Sequence, residues 1–309
     1  MDFINLQKKV FSSYFDGRYE EALATVLEVA ERFPEKYYRT GFWAACLYCR
    51  VGAPDMAMVY LEKALQKGAW WGEDLLHDED LQPLWGREDF NQLKVVSQNR
   101  KVEAASKSRP ELLVLEPEKQ VGDRIYPIIL ALHGRYGDNE DFPALWGDPV
   151  IRSSYILAFP QSSQVCSYKM FCWDDYHLAE KEIRQTYNQL INQYGRTNPV
   201  LMSGYSQGGG AAIKMALSDV ECAGFIAMVP SFKDVQELFA PLGQNGSRGR
   251  RGCIITGDKD YGYSKALELA EALEKHELPC KLFVEKGLGH LIPDNFALLL
   301  QQAVDFILL

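Results

Sequence analysis

From residue 1 to about residue 100 the apolar positions recur with a helical period, and almost nothing alternates as a strand does. Within this stretch GRYEEA, Gly17 to Ala22, recurs in kind as GAPDMA, Gly52 to Ala57. The offset is close to the roughly 34-residue period of stacked helix pairs. The glycines suit the turns, and Ala22 and Ala57 are small enough to let paired helices approach closely. Pro34 closes the first unit, and LEKALQKG, Leu61 to Gly68, closes the second. DEDLQPLWGREDFNQL, Asp78 to Leu93, predicts a helical cap, without which the last apolar face is exposed. RKVEAASKSRP, residues 100–110, is polar and ends in proline, and predicts a linker over 101–110.

Beyond the linker the pattern changes. Short apolar runs rich in Ile, Val, Leu and Phe alternate with amphipathic stretches. The runs are Leu112–Leu115, Pro127–Leu132, Ile156–Phe159, Val200–Ser203, Phe225–Val229, Cys253–Thr256 and Leu282–Val284. Continuous apolar runs of this length predict strands buried on both faces. Leu178–Tyr194, Gly209–Leu217 and Tyr263–His276 predict helices between them, and FALLLQQAVDFILL at the end predicts an amphipathic helix docked on the core. Such alternation predicts an α/β fold with a mostly parallel sheet flanked by helices. The expected organisation is therefore a helical domain over 1–100, a linker over 101–110 and an α/β domain over 111–309.

The helical half resembles two tetratricopeptide repeats over roughly residues 3–69. Ala44 stands where that pattern often has glycine, and the second unit lacks a closing proline.

At 309 residues the chain is long enough for two domains with real cores. Its formal charge of −9 argues against nucleic acid or an anionic membrane as a main partner. SRGRR at 247–251, a short basic cluster, predicts a solvated loop before a strand. MDFINLQKKV lacks a secretory signal pattern, and no apolar run reaches membrane-spanning length, so a cytoplasmic protein is expected. The 7 cysteines form no tight framework and are expected as reduced thiols. Cys46 and Cys49 lie one helical turn apart, and no second Cys or His pair with metal spacing accompanies them; they are expected to pack in the core.

Chemistry collects after the predicted strands. HGRYGDNEDF follows the second run, GYSQGG the fourth, GDKDYGY the sixth and EKGLGH the last. In GYSQGG, Gly204 and Gly208 remove side chains that clash where a strand folds sharply back into a helix, and Ser206 is pushed out at the tip. The order Ser206, Asp260, His290 is that of the α/β-hydrolase fold, not of chymotrypsin or subtilisin. A serine hydroxyl needs a base to take its proton, a histidine does so and later returns it, and a carboxylate holds the imidazole in the right tautomer. The tetrahedral oxyanion needs fixed donors; the backbone N–H groups of Gln207 and Arg135 are the candidates.

Together HGRYGDNEDF, GYSQGGG, GDKD and GLGH resemble the phospholipase/carboxylesterase branch of the α/β-hydrolases, which includes acyl-protein thioesterases and neighbours dienelactone-hydrolase-like esterases. The resemblance covers about residues 110–309. It implies Ser206, Asp260 and His290 as the catalytic residues, and Arg135, after the histidine–glycine pair, as the second oxyanion donor. It implies a structural His133. Spacing after Gly257 in similar sequences favours Asp260 over Asp258, which is left as a turn residue. YKMFCWDD, Tyr168 to Asp175, looks like the family's aromatic-acidic loop beside the acyl site, which makes Trp173 a substrate-contact candidate or else a core residue capping the sheet. Tyr136 and Tyr205 are further substrate-contact candidates. His77, His177 and His276 sit in polar segments and are expected at the surface.

The expectation is a serine hydrolase that cleaves carboxylic esters or thioesters of small molecules through an acyl-enzyme, with no metal or organic cofactor. The helical repeats offer a surface for a protein partner or self-association. The alternatives are a peptidase of prolyl-oligopeptidase type, whose catalytic domain usually follows a β-propeller, and an interaction scaffold with an inactive hydrolase domain.

Overall fold

The computed structural model describes residues 3–117, 124–240 and 249–309. Two units emerge. One holds residues up to Ser108 together with Val165–Met170; the other holds Arg109–Gln164 and Phe171–Leu309.

In the first unit, helices Phe3–Phe15 and Tyr19–Arg32 form one antiparallel pair, and Tyr37–Arg50 and Pro54–Gln66 form a second. Each pair turns at a glycine in the left-handed region, Gly17 at φ 73° and Gly52 at φ 80°, where a Cβ is penalised. Ala22 and Ala57 are fully buried where the helices meet. Leu6, Val10, Val26, Val29 and Leu47 fill the core of this stack. A 3₁₀ turn, Glu79–Leu84, and the long helix Glu88–Lys107 follow, with Phe90 and Leu93 buried. The Asp80 carboxylate is buried, accepts from the Tyr14 hydroxyl at 2.8 Å and pairs with Arg50. These partners tie the first and third helices to the 3₁₀ turn and meet the cost of burying a charge.

Most of the expected linker is helix. Residues 101–107 extend the helix from Glu88 to Lys107, because Lys, Glu and Ala are good helix formers and no breaker precedes Pro110. Its polarity is that of an exposed helix face, not of an extended tether. Arg100 donates to the Leu65 and Ala69 carbonyls, satisfying the C-terminal end of Pro54–Gln66.

Residues 165–170 complete this unit from far along the chain. The Tyr168 N–H donates to the Trp70 carbonyl at 3.0 Å, and its ring lies 5.6 Å from that of Tyr38. YKMFCWDD is therefore split, with Tyr168–Met170 in the helical unit and only its second half in the α/β unit.

The α/β unit contains β1 (Glu111–Leu115), β2 (Ile128–Leu132), β3 (Ile156–Gln161), β6 (Val200–Tyr205), β7 (Gly224–Met228), β8 (Arg251–Gly257) and β9 (Cys280–Glu285); between β3 and β6 lie the short β4 (Val165–Ser167) and β5 (Met170–Phe171). The order across the seven-stranded sheet is β1-β3-β2-β6-β7-β8-β9. All neighbours are parallel except β1, which runs antiparallel to β3. Every predicted apolar run is one of these strands, but only the five inner ones are buried on both faces; β1 and β9, at the edges of the sheet, are partly exposed because no strand covers their outer side. β2 shows why the run is continuous: Ile128, Leu130 and Leu132 face one core, and Ile129 and Ala131 face the other. Helices Tyr176–Tyr194, Gln207–Ala216 and Tyr263–Lys275 cover the first face. Helix Phe296–Leu308 covers the second with Leu299, Leu300, Ala303, Val304 and Ile307. This is the predicted α/β-hydrolase layering, with the loops after β2, β6, β8 and β9 at the carboxyl edge of the sheet.

The basic cluster is not simply a solvated loop. Ser247 and Arg248 lie outside the described residues, but Arg250 donates to the carbonyls of Ala216, Ser218 and Val220, and Arg251 opens β8. The guanidinium satisfies carbonyls that the end of helix Gln207–Ala216 leaves without intrahelical partners. Among the described residues no helix is long and apolar enough to cross a membrane.

Candidate active site

β6 ends at Tyr205 and helix Gln207–Ala216 begins two residues later, so the whole reversal falls on Ser206. Its backbone sits at φ 54° and ψ −119°, a costly conformation for a residue with a Cβ. Surrounding bonds hold it there. The Ser206 N–H donates to the Met228 carbonyl, and the Ser206 carbonyl accepts from Gly210 and Ser231. A Cβ on Gly204 would lie 2.2 Å from the Gly208 oxygen, and one on Gly208 2.4 Å from the carbonyl oxygens of Leu132 and His133. Both glycines therefore allow backbone to pass against backbone. Gly208→Ala is expected to cost about 1–3 kcal/mol or more, since neither carbonyl is a flexible group that can swing away. Denaturant unfolding measures this; an unchanged midpoint would show that the turn relaxes freely.

Ser206, His290 and Asp260 meet although far apart in sequence. His290 Nε2 lies 2.8 Å from Ser206 Oγ, and His290 Nδ1 lies 2.9 Å from Asp260 Oδ1. The two distances allow only one useful tautomer, with the proton on Nδ1 and the Nε2 lone pair facing the serine. Asp260 is buried, and its Oδ1 also accepts from the Gly262 N–H at 3.1 Å. Burial pushes the carboxyl up, but the His290 contact, the Gly262 amide and the Thr256 hydroxyl together outweigh it and hold the group below the ordinary carboxylate range. A depressed folded-state pKa gives stability that is present above the ordinary carboxyl pKa and is lost as pH falls through the folded one. Wild type is thus expected to lose an increment of stability below about pH 4 that Asp260→Asn does not lose. Unfolding free energies of both proteins across the acid range check this; parallel curves would contradict it.

Asp258 is elsewhere. Its Oδ1 accepts from the Gly287 N–H at 2.6 Å, so it shapes a turn, but by tying the loop after β8 to the loop that carries His290. This is a longer reach than the local bonds expected of a turn residue.

The loop after β2 borders the serine. A Cβ on Gly134 would lie 3.3 Å from Ser206 Cβ, which puts Arg135 one residue from the nucleophile candidate. The Arg135 side chain pairs with Asp174. Gln207 is the first residue of its helix, where backbone N–H groups have no intrahelical acceptor. Its side chain accepts from the Trp173 N–H at 2.9 Å and donates to Asp174 at 2.8 Å. Asp174 thus joins the two loops, a role with no signal in the sequence beyond its acidity.

Trp173 is 4% exposed, donates its indole N–H to the His133 carbonyl at 2.9 Å and stacks on the His133 ring. Of its two readings, this placement fits the buried one: it backs the loop. His133 is fully buried, with Nδ1 2.8 Å from the Gly134 carbonyl, as a structural residue should be. The Tyr205 hydroxyl donates to the His290 carbonyl at 2.7 Å, so Tyr205 steadies the histidine loop. Tyr136 adopts φ 65° and donates its N–H to the Phe171 carbonyl. His77, His177 and His276 are exposed. Sequence reasoning passed over Tyr261, whose ring stacks on His290 at 4.4 Å.

All seven cysteines are free thiols, and Cys46 and Cys49 are buried in the helical unit. Among the described residues, Cys46, Asp78 and Asp80 are close enough together to share a cation. Burial holds the Cys46 thiol well above its ordinary value, and Asp80 is already engaged by Tyr14 and Arg50. This donor set suits a buried ion pair better than a metal.

Residues 2–105 match a family described as A/B hydrolase-like, N-terminal domain. No curated protein matches the sequence. An uncharacterized protein from Bacillus cereus ATCC 10987 is similar along the whole chain, with a TM-score of 0.54, 25% identity and 99% of each chain covered. Esterase PE8 has a TM-score of 0.54 at 20% identity, covering 64% of this chain and 99% of its own. TT1662 from Thermus thermophilus has a TM-score of 0.51 at 20% identity, covering 65% of this chain and 98% of its own. The chain thus has an α/β-hydrolase fold preceded by a helical region that matches the A/B hydrolase-like N-terminal domain.

Proposed function

We propose that the protein is a serine hydrolase that cleaves carboxylic esters or thioesters through an acyl-enzyme on Ser206. The observation that carries this reading is the unbroken hydrogen-bond chain from Ser206 Oγ through His290 to Asp260, built on a strained strand-to-helix turn. His290 Nε2 takes the serine proton as Oγ attacks the acyl carbon, and Asp260 stabilises the imidazolium that forms. The developing oxyanion takes hydrogen bonds from the Gln207 and Arg135 amides, a term of about 2.7–4 kcal/mol per donor in a comparable hydrolase. Collapse expels the alcohol or thiol, which receives the proton from His290. Water then enters, His290 removes its proton, and the acid leaves Ser206. Apart from the substrate and this water, every group the steps use belongs to the chain.

The test is active-site labelling with a fluorophosphonate, followed by a p-nitrophenyl ester chain-length series beside a thioester and a peptide panel. Labelling at Ser206 with ester or thioester turnover supports the reading. No labelling rejects the nucleophile, and turnover of peptides alone rejects the substrate class.

A further inference from the structure

Tyr261 directly follows Asp260 in the chain and packs against the reacting end of His290. Its ring centroid lies 4.4 Å from the imidazole at an interplanar angle of 27°, and its hydroxyl is 3.2 Å from Nε2. Nε2 is the atom that faces Ser206 Oγ at 2.8 Å. The Tyr261 side chain nevertheless has little packing of its own, being 72% exposed. A large aromatic group held this way serves the imidazole and the space in front of it, not the core.

We propose that the Tyr261 hydroxyl is a catalytic hydrogen-bond donor to the leaving group, and that its ring holds the imidazole plane. The inference rests on the acyl-enzyme reading above. When the tetrahedral intermediate collapses, the bond from the acyl carbon to the leaving heteroatom breaks and its electron pair goes to that heteroatom. Nε2 delivers the proton, so the heteroatom must come within hydrogen-bond reach of Nε2. A heteroatom that approaches Nε2 on the side of the Tyr261 hydroxyl, which lies 3.2 Å from Nε2, comes within reach of that hydroxyl as well. The phenol donates without giving up its proton, so the balance of the step is unchanged. Desolvation and the nearby Asp260 carboxylate push the phenol above its ordinary value, with hydrogen bonding to Ser206 and Ser231 acting the other way. The Gln207 and Arg135 amides serve the oxyanion, so Tyr261 supplies a donor for the other oxygen that gathers charge.

A donor to the leaving group matters most when that group is basic. An alkoxide needs both a proton and a hydrogen bond, whereas p-nitrophenolate leaves with little help. The experiment compares kcat/KM for an ethyl and a p-nitrophenyl ester of one acid in wild type, Tyr261→Phe and Tyr261→Leu. Phenylalanine keeps the stack and loses the hydroxyl. Tyr261→Phe is expected to lose about tenfold more on the ethyl ester than on the p-nitrophenyl ester, the scale of one charge-assisted hydrogen bond. Tyr261→Leu is expected to add a further loss common to both esters, because the imidazole is no longer held. Equal losses on the two esters in Tyr261→Phe, or none, overturn the leaving-group role. Fluorophosphonate labelling of wild type separates the two failures. A labelled wild type with no ester-dependent difference in Tyr261→Phe sinks this inference alone. An unlabelled wild type sinks the acyl-enzyme and this inference with it.

Discussion

Ser206→Ala is expected to remove hydrolysis, with a loss on the order of a millionfold in kcat, and to leave the fold in place. The magnitude follows from the loss of a nucleophile in a comparable triad. The fold survives because what holds residue 206 is backbone. Its N–H donates to Met228 and its carbonyl accepts from Gly210 and Ser231, and alanine keeps all three bonds. The lost hydroxyl faces His290 and supports no apolar packing. Purified variant and wild type are compared by circular dichroism and by single-turnover ester hydrolysis. A folded variant within roughly a hundredfold of wild type would remove Ser206 from the nucleophile's role.

The second large effect separates the two aspartates of GDKD. Asp260→Asn is expected to lose about 10⁴-fold in kcat, as the equivalent change does in a comparable triad. An asparagine can offer its N–H₂ to His290 Nδ1, which favours the tautomer with the proton on Nε2, where it cannot take the serine proton. Asp258→Asn is expected to lose about tenfold at most, because its Oδ1 can still accept from the Gly287 N–H. Some loss is expected all the same, since that bond steadies the loop carrying His290. Both variants are measured for ester turnover after their folding is checked. A dead Asp258→Asn beside an active Asp260→Asn would move the acid to Asp258.

The sequence alone determined the sheet. The inner strands β2, β3, β6, β7 and β8 are buried on both faces and so read as near-continuous apolar runs, whereas the edge strands β1 and β9 are only partly buried. The runs around Ile129, Met202, Ile226 and Ile254 were legible for that reason. The elbow was legible too, because a Cβ on Gly204 or Gly208 would lie only 2.2–2.4 Å from backbone oxygens, so only glycine fits there. Gly17 and Gly52 marked the helix turns for another reason, their left-handed φ of 73° and 80°. Ser206, Asp260 and His290 could be singled out as candidates because each sits in a loop just after a strand, and parallel strands deliver all such loops to one edge.

Other features were decided by tertiary structure alone. Polarity along residues 101–107 cannot distinguish a solvated helix from a linker, because both face water. Nothing in YKMFCWDD says that Tyr168 packs with Tyr37 and Tyr38 while Trp173 turns onto His133. Those partners are separated by up to 131 residues in number, 37 to 168, and only folding brings them together. Asp174 and Tyr261 owe their places to loops from different strands, with no periodicity or spacing to announce them. Local pattern encodes which face of an element meets water and where the backbone must turn. It does not encode which distant side chain arrives at the other end of a hydrogen bond, because that depends on the summed geometry of every element between them.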